Sequence, residues 1–311
     1  MQDIIGIDIS KDRLDAYRLP DRQHAVFDND KAGFKALLKW ICGAGDLRIV
    51  YEPTGPYHRG MEDALAKAGY ALVKVNPRQA RRFAEATGTL AKTDRVDAML
   101  LARMGLALDL PSRPVRGDMM NNLRELHVAR LALVKERTAA SNRAVAAQNK
   151  ILKRQSKARL AFIERQLSEL EETIAALIAA DPDLSARRDI LTSIPGIGLV
   201  TAHMLLIEMP ELGTLEPKQA ASLAGLAPFT RRSGKWKGKE VIRGGRADLR
   251  SAIFMPALVA VRFNADLKRK YQALLDKGKA PKLAITAIMR KLILLANALL
   301  RDGRKWDERP A

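Results

Sequence analysis

The chain opens on short apolar runs with a period of two, and its first hundred residues switch repeatedly between that pattern and a helical one. Ile4 to Ile9, Leu14 to Leu19 and Ala25 to Phe27 read as three strands of a meander separated by turn residues. Asn29 or Asp30 caps a helix running to about Cys42, ended by Gly43 and Gly45, and Leu47 to Glu52 returns to a strand. A Pro-Thr-Gly-Pro turn leads into a helix over Tyr57 to Lys67 that Gly69 closes, and Tyr70 to Val75 is a further strand. Pro77 opens a basic helix, and Thr93 caps another from Asp94 to about Leu108. The order βββαβαβα predicts an α/β domain on a central sheet.

That order is the one found in ribonuclease H-like domains. Beyond it, Pro111 and Pro114 mark a linker, and from Asp118 to Asp181 there is neither Gly nor Pro. Such a stretch, rich in Ala, Leu, Arg, Glu and Gln, is a long helix or a helical pair. Leu160, Ile163, Leu167, Leu170, Ile174 and Leu177 step by three and four, the seam of a coiled coil. The rhythm breaks between Leu152 and Leu160 near Ser156, so either two antiparallel helices or one stuttered helix fits, closing within the chain or between copies. Asp181-Pro182 ends this region, and from about Ala186 the chain is mostly helical, with turns at Pro195 to Gly198, Pro210 to Gly213 and Gly225 to Gly245. The expected division is 1–110 for the α/β domain, 111–185 for linker and coiled coil, and 186–311 for a helical C-terminal domain with a charged, frayed tail.

Charge narrows the partners. The 54 Lys and Arg against 35 Asp and Glu leave a formal charge of +19 over 311 residues, which points to a polyanion, nucleic acid first. The lone Cys42 forms no internal disulfide and excludes a Cys-ligated zinc site, which fits a reduced, cytoplasmic setting. Asp3 and Asp8 interrupt any secretory h-region, and the late apolar run Leu292 to Leu300 is far short of the roughly 20 residues of a membrane span. No membrane partner is expected.

Candidate chemistry lies in acids where acids are costly. Asp8 interrupts an apolar strand, and Glu52 ends another just before the Pro-Gly turn. Asp94 and Asp97, spaced i, i+3, share one helical face, although each alone also suits a helix N-terminus or an ion pair. Together the four could hold two divalent ions, and oxygen ligands of this kind suit Mg²⁺. Arg78, Arg81, Arg82 and Arg95 flank them as phosphate contacts or as a solvated face. Ile-Pro-Gly-Ile-Gly at 194–198 reads as a helix-hairpin-helix turn that accepts a phosphate, or as a plain helical corner. The segment from Phe229 to Arg250 holds eight basic and two acidic residues, among them Arg231, Arg232, Lys235, Lys237, Arg243, Arg246 and Arg250. Trp236 could stack on a base there, and Ser233 is a turn residue or a phosphate-attacking nucleophile. His24, His58, His127 and His203 are scattered and read as structural or surface residues.

The motifs in order resemble, nearly end to end, the transposases of the insertion-sequence-110 family, which includes the Piv-type DNA invertases. The marks are Gly-Ile-Asp8-Ile-Ser-Lys, Tyr-Glu52-Pro-Thr-Gly-Pro-Tyr, Asn-Pro77-Arg-Gln-Ala, Lys-Thr-Asp94-Arg-Val-Asp97-Ala, Ile-Pro-Gly-Ile-Gly, Ala-Gly225-Leu-Ala-Pro-Phe, Arg-Ser233-Gly and Gly244-Gly-Arg-Ala-Asp-Leu-Arg. The resemblance implies a RuvC-like domain with a DEDD metal tetrad, a coiled coil, and a C-terminal transposase domain with a nucleophilic serine. By motif these are Asp8, Glu52, Asp94, Asp97 and Ser233. It further implies donor and target DNA as substrates, a structured guide RNA, and homodimers assembling into a tetramer. The alternatives are a hydrolytic RuvC-like nuclease and a non-catalytic nucleic-acid-binding protein.

Overall fold

Strand alternation sends Ile5, Ile7 and Ile9 into one core and turns Ile4, Gly6 and Asp8 to the opposite face. In the computed structural model, which describes residues 3–42, 47–89, 93–112, 117–230, 232–234, 236–238 and 240–307, this strand is β1 (Asp3–Ile9). It pairs antiparallel with β2 (Arg13–Arg18), which pairs antiparallel with β3 (His24–Asp28). After α1 (Lys31–Ile41), β4 (Leu47–Tyr51) joins the other side of β1 in parallel. After α2 (Arg59–Lys67), β5 (Ala71–Lys74) adds to β4, also in parallel. The sheet order is β3-β2-β1-β4-β5. The expected meander, strands and crossover helices are all present. Gly43, Gly45 and Pro114, read as helix-ending and linker residues, lie outside the described residues.

Caps set the helix starts. Asp30 accepts from the Gly33 N–H at 2.8 Å, Asn76 from Arg78 at 2.9 Å at the head of α3 (Pro77–Ala86), and Thr93 from Val96 at 3.3 Å at the head of α4 (Asp94–Leu108). Leu37, Ile41, Met61 and Leu65 of α1 and α2 cover one sheet face. On the other face α4 lies close over β1, because Gly6 has no side chain: a Cβ there would overlap the Ala98 carbonyl and the Ala102 nitrogen. Gly105 likewise makes room for Val50.

The chain divides into two compact units, Met1–Gly117 and Asp118–Ala311. The second begins with α5 (Asp118–Ala146) and α6 (Lys150–Ala180), an antiparallel helical hairpin. Arg130 meets Glu171 at 2.6 Å and Arg137 meets Glu164 at 3.4 Å, two rungs of one antiparallel register. The turn comes earlier than the Ser156 region: Asn149 caps α6 by accepting from Ile151 at 2.8 Å. Ile163 and Leu167 close on Ala140, and Ile174 and Ile178 enter the main helical core, so the heptad seam is buried within one chain.

Next come α7 (Pro182–Thr192), capped by Asp181, α8 (Leu199–Glu208) and α9 (Pro217–Leu223). Four short strands follow, β6 (Pro228–Phe229), β7 (Arg232–Ser233), β8 (Trp236–Lys237) and β9 (Val241–Ile242). The chain continues as α10 (Ala247–Ala252), α11 (Phe254–Phe263), α12 (Ala265–Asp276) and α13 (Pro281–Arg301). By length and composition α13 could cross a membrane, being longer than the Leu292 to Leu300 run, but half of its apolar window is buried. Ile288, Leu292, Ile293 and Leu299 lie in the helical core, and the Asn297 side chain accepts from Gly213 N–H and donates to Leu215 C=O, both at 2.8 Å. It is the central helix of the second unit.

Candidate active site

Adjacent parallel strands bring the first two acids together. Ile7 pairs with Tyr51, so one step further along the same direction Asp8 ends up beside Glu52 at the C-terminal edge of β1 and β4. The close docking of α4 over Gly6 sets its first turn, with Asp94 and Asp97, over that edge. All four carboxylates line one cavity of about 610 Å³, with Thr54, Thr89, and Arg81 and Glu85 of α3 on its walls.

Each of the other three acids acts on Asp8 electrostatically. Asp8 is half-buried, and its carboxyl is pushed up from 3.8 to about 6, first by burial, then by the negative charges of Asp97, Asp94 and Glu52. The Ile9 backbone N–H pulls weakly the other way. Among the described residues no three acids, histidines or cysteines stand close enough to close on an ion unaided. The donor set, four hard carboxylates lining one cavity, is of the type that suits a divalent cation.

The serine lies in the second unit, on nested hairpins. In the outer one Pro228 and Phe229 of β6 face Ile242 and Val241 of β9; in the inner one Arg232 and Ser233 of β7 face Lys237 and Trp236 of β8. Gly234, at φ +55, turns the inner hairpin immediately after the serine, a left-handed conformation that favours glycine. Ser233 is exposed. The Ile-Pro-Gly-Ile-Gly segment is a tight turn between α7 and α8. Gly196, at φ +103, packs on the Pro256 carbonyl and Ala260, and Gly198 starts α8 without a side-chain cap, leaving first-turn N–H groups for another acceptor.

Residues 5–152 match a family model described as a transposase, of DEDD type, and residues 188–272 match that of the transposase IS116/IS110/IS902 family. The chain belongs to the IS110 transposase family. The pilin gene-inverting proteins of Moraxella bovis and Moraxella lacunata are each 32% identical over 325 residues, 98% of this chain and 98% of the relative. An insertion element IS110 protein of 43.6 kDa from Streptomyces coelicolor is 36% identical over 153 residues, 48% of this chain and 36% of that protein.

As an IS110-family transposase the protein is an enzyme that acts on DNA. The four acids fall within the first matched segment and Ser233 within the second. The arginines picked out by sequence separate into groups. Arg78, Arg81, Arg82 and Arg95 are exposed, Arg81 beside Glu85 at 3.4 Å. Arg243 lies over the Phe229 ring at 5.1 Å. Arg246 and Arg250 turn inward to partners in the chain. Arg231 and Lys235, and the side chains of Arg232, Trp236 and Lys237, lie outside what the structure describes.

Sequence reasoning missed Asp15, which is buried opposite Asp8 in the β1–β2 register and hydrogen-bonded to His24 at 3.0 Å. The signal was the polar residue inside Leu14 to Leu19, legible only once the strands are paired. It also missed the cluster behind Glu52, where Glu62 binds the Tyr51 hydroxyl and Lys74, the latter at 2.7 Å, and His58 stands 3.2 Å from Lys74.

Proposed function

We propose that this transposase cuts and rejoins DNA with Asp8, Glu52, Asp94 and Asp97 as a metal-holding tetrad and Ser233 as the nucleophile. The observation that carries the reading is the convergence of the four carboxylates on one cavity at the ends of adjacent parallel strands. The sheet order β3-β2-β1-β4-β5, with α4 packed across it, supports a RuvC-like, ribonuclease H-like domain. The Moraxella relatives, named for inverting a pilin gene, support inversion or transposition as the outcome.

In this reading the Ser233 hydroxyl attacks a strand phosphorus. A P–Oγ bond replaces one P–O bond, and the sugar oxygen leaves with a proton. Reversal by a sugar hydroxyl of the new partner strand restores the serine, so strands rejoin without ATP. A serine hydroxyl is a weak nucleophile near neutral pH. Mg²⁺, two ions at full occupancy, would supply charge stabilisation and a lowered hydroxyl pKa when bound. The chain's own contribution in the first unit is a cation at the cavity, Arg81, which can hold a phosphate beside the tetrad. The chemistry needs Ser233 and a tetrad at one phosphate, from one subunit or from two. A structured guide RNA pairing with donor and target DNA, dimers assembling into a tetramer, a coiled-coil role for the α5–α6 hairpin, and action in the cytoplasm on the nucleoid complete the proposal.

The test is recombination of a plasmid substrate with Mg²⁺ and in chelator. Asp8→Ala and Glu52→Ala should each lose orders of magnitude in rate while still binding DNA. Near-normal recombination by either variant contradicts the tetrad.

A further inference from the structure

Two sequence motifs have no role in the chemistry above: Ala-Gly225-Leu-Ala-Pro-Phe and Gly244-Gly-Arg246-Ala-Asp-Leu-Arg250. In the fold they are one piece. Gly225, at φ +67, and Gly245, at φ +61, lie back to back, so that a Cβ on either would overlap the other strand's backbone or the Arg250 guanidinium. Arg250 Nη1 donates to the Gly244 carbonyl at 2.7 Å and to the Gly225 carbonyl at 3.3 Å, tying the two glycine turns together. The Arg246 backbone N–H donates to Leu223 C=O at 2.8 Å, and its guanidinium grips Glu211 in a fork, Nη1 to Oε2 at 3.0 Å and Nη2 to Oε1 at 2.6 Å. Both strands entering and leaving the nested hairpins pass through this knot.

We infer that Glu211, Arg246 and Arg250 form a clamp at the root of the hairpins that fixes where Ser233 points. Arg246 and Arg250 are therefore positioning residues and not phosphate ligands. Each guanidinium is held by partners in the chain, Arg246 through a two-donor fork on Glu211 and Arg250 through Nη1 on two backbone carbonyls, and such planar, directional bonds fix the side chain in the knot. The inference deepens the proposed function, since its effect on rate rests on Ser233 as nucleophile.

The experiment compares full-length wild type, Glu211→Gln, Arg246→Gln and the swap Glu211→Arg with Arg246→Glu. It measures DNA affinity against salt and the strand-transfer rate at saturating DNA. The clamp predicts that both single variants keep the wild-type affinity and salt slope and lose about 10²-fold in rate, the scale of a misplaced reacting group. The swap should recover most of that loss. A phosphate-ligand role predicts the reverse: Arg246→Gln weakens binding and lowers the salt slope by about one, and Glu211→Gln tightens binding. That result overturns the clamp. Should Arg246→Gln fail to fold, Arg246→Lys keeps the charge but not the fork; a reduced rate with an unchanged slope supports the clamp, and a wild-type rate overturns it. Amide exchange across 229–242 separates this from the nucleophile reading. If Ser233→Ala recombines normally, the nucleophile reading fails, while faster exchange in Glu211→Gln still supports the clamp and unchanged exchange overturns it.

Discussion

Ionised Asp8 stands among Asp97, Asp94 and Glu52, and at neutral pH without a cation it is a cost to the fold. Its folded value of about 6 lies above the ordinary 3.8, so the stability it contributes is complete below 3.8 and is lost as pH rises through about 6. Allowing for solvent screening of a group only partly buried, the loss is on the order of 1–2 kcal/mol. Metal-free protein should therefore show a lower unfolding midpoint for its first unit at pH 7 than at pH 5, and Mg²⁺ should remove the difference. Asp8→Asn should raise the metal-free midpoint at pH 7, abolish the pH step and eliminate recombination. Thermal unfolding in chelator checks this; an Asp8→Asn protein no more stable than wild type contradicts it. That Asp8 is an unusual acid on an apolar strand was legible in the sequence, and the structure sets it on the wall of a cavity. Its grouping with Glu52, Asp94 and Asp97 was also read from the sequence; what the sequence did not reveal is the means, Gly6, whose missing side chain lets α4 approach, since nothing local to Gly6 announces which helix will dock there.

The elements were legible where a cap or breaker names their ends, as Asp30, Asn76, Thr93 and Asp181 do. The α5–α6 turn was misplaced because no Gly or Pro marks it; Asn149, an N-cap in an Ala- and Lys-rich run, was the available signal. Its position decides the seam. Folding back at 147–149 sets Ile163 and Leu167 against Ala140 of the same chain, so Leu167→Ala should cost about 2–4 kcal/mol of second-unit stability. The mass in solution should not change, as sedimentation would show; dissociation of an oligomer would instead place the seam between chains. The hairpin also carries an acid sensitivity. His127 on α5 and His203 on α8 are buried with Nε2 unpartnered, and burial foremost holds both below 6.5. Arg124 and Arg130 near His127, and Arg188 and Arg130 near His203, add to that effect, opposed by Glu208 and Asp248 and by Glu171. Stability from these groups is present above 6.5 and lost as pH falls through their lowered folded values. The second unit should lose stability as pH falls below 6.5, and His203→Leu should blunt the loss; an unchanged pH profile in His203→Leu contradicts this.

At the scale of the whole molecule, a charge of +19 identifies the class of partner without locating the contact. The sequence presented Arg246 and Arg250 as two more cations in a basic loop, because Glu211 and Gly225 lie too far back in the chain to read as their partners. Order along the chain identified the family; spatial pairing sorted the arginines. If the remaining exposed cations engage phosphates, affinity for DNA should fall steeply with salt, by about 10³-fold or more between about 50 and 200 mM. A flat response measured by fluorescence anisotropy would remove the electrostatic footing of the account. The central claim, that strand exchange proceeds through Ser233 with the tetrad's help, is tested most directly by trapping the covalent intermediate. Wild-type protein, incubated with Mg²⁺ and end-labelled DNA carrying its recombination site and then denatured, should yield a protein–DNA adduct whose linkage maps by peptide mass spectrometry to Ser233. Ser233→Ala and Asp8→Asn should yield none. Cleavage at the wild-type rate by Ser233→Ala, with free DNA ends and no adduct, would contradict it and leave water as the nucleophile.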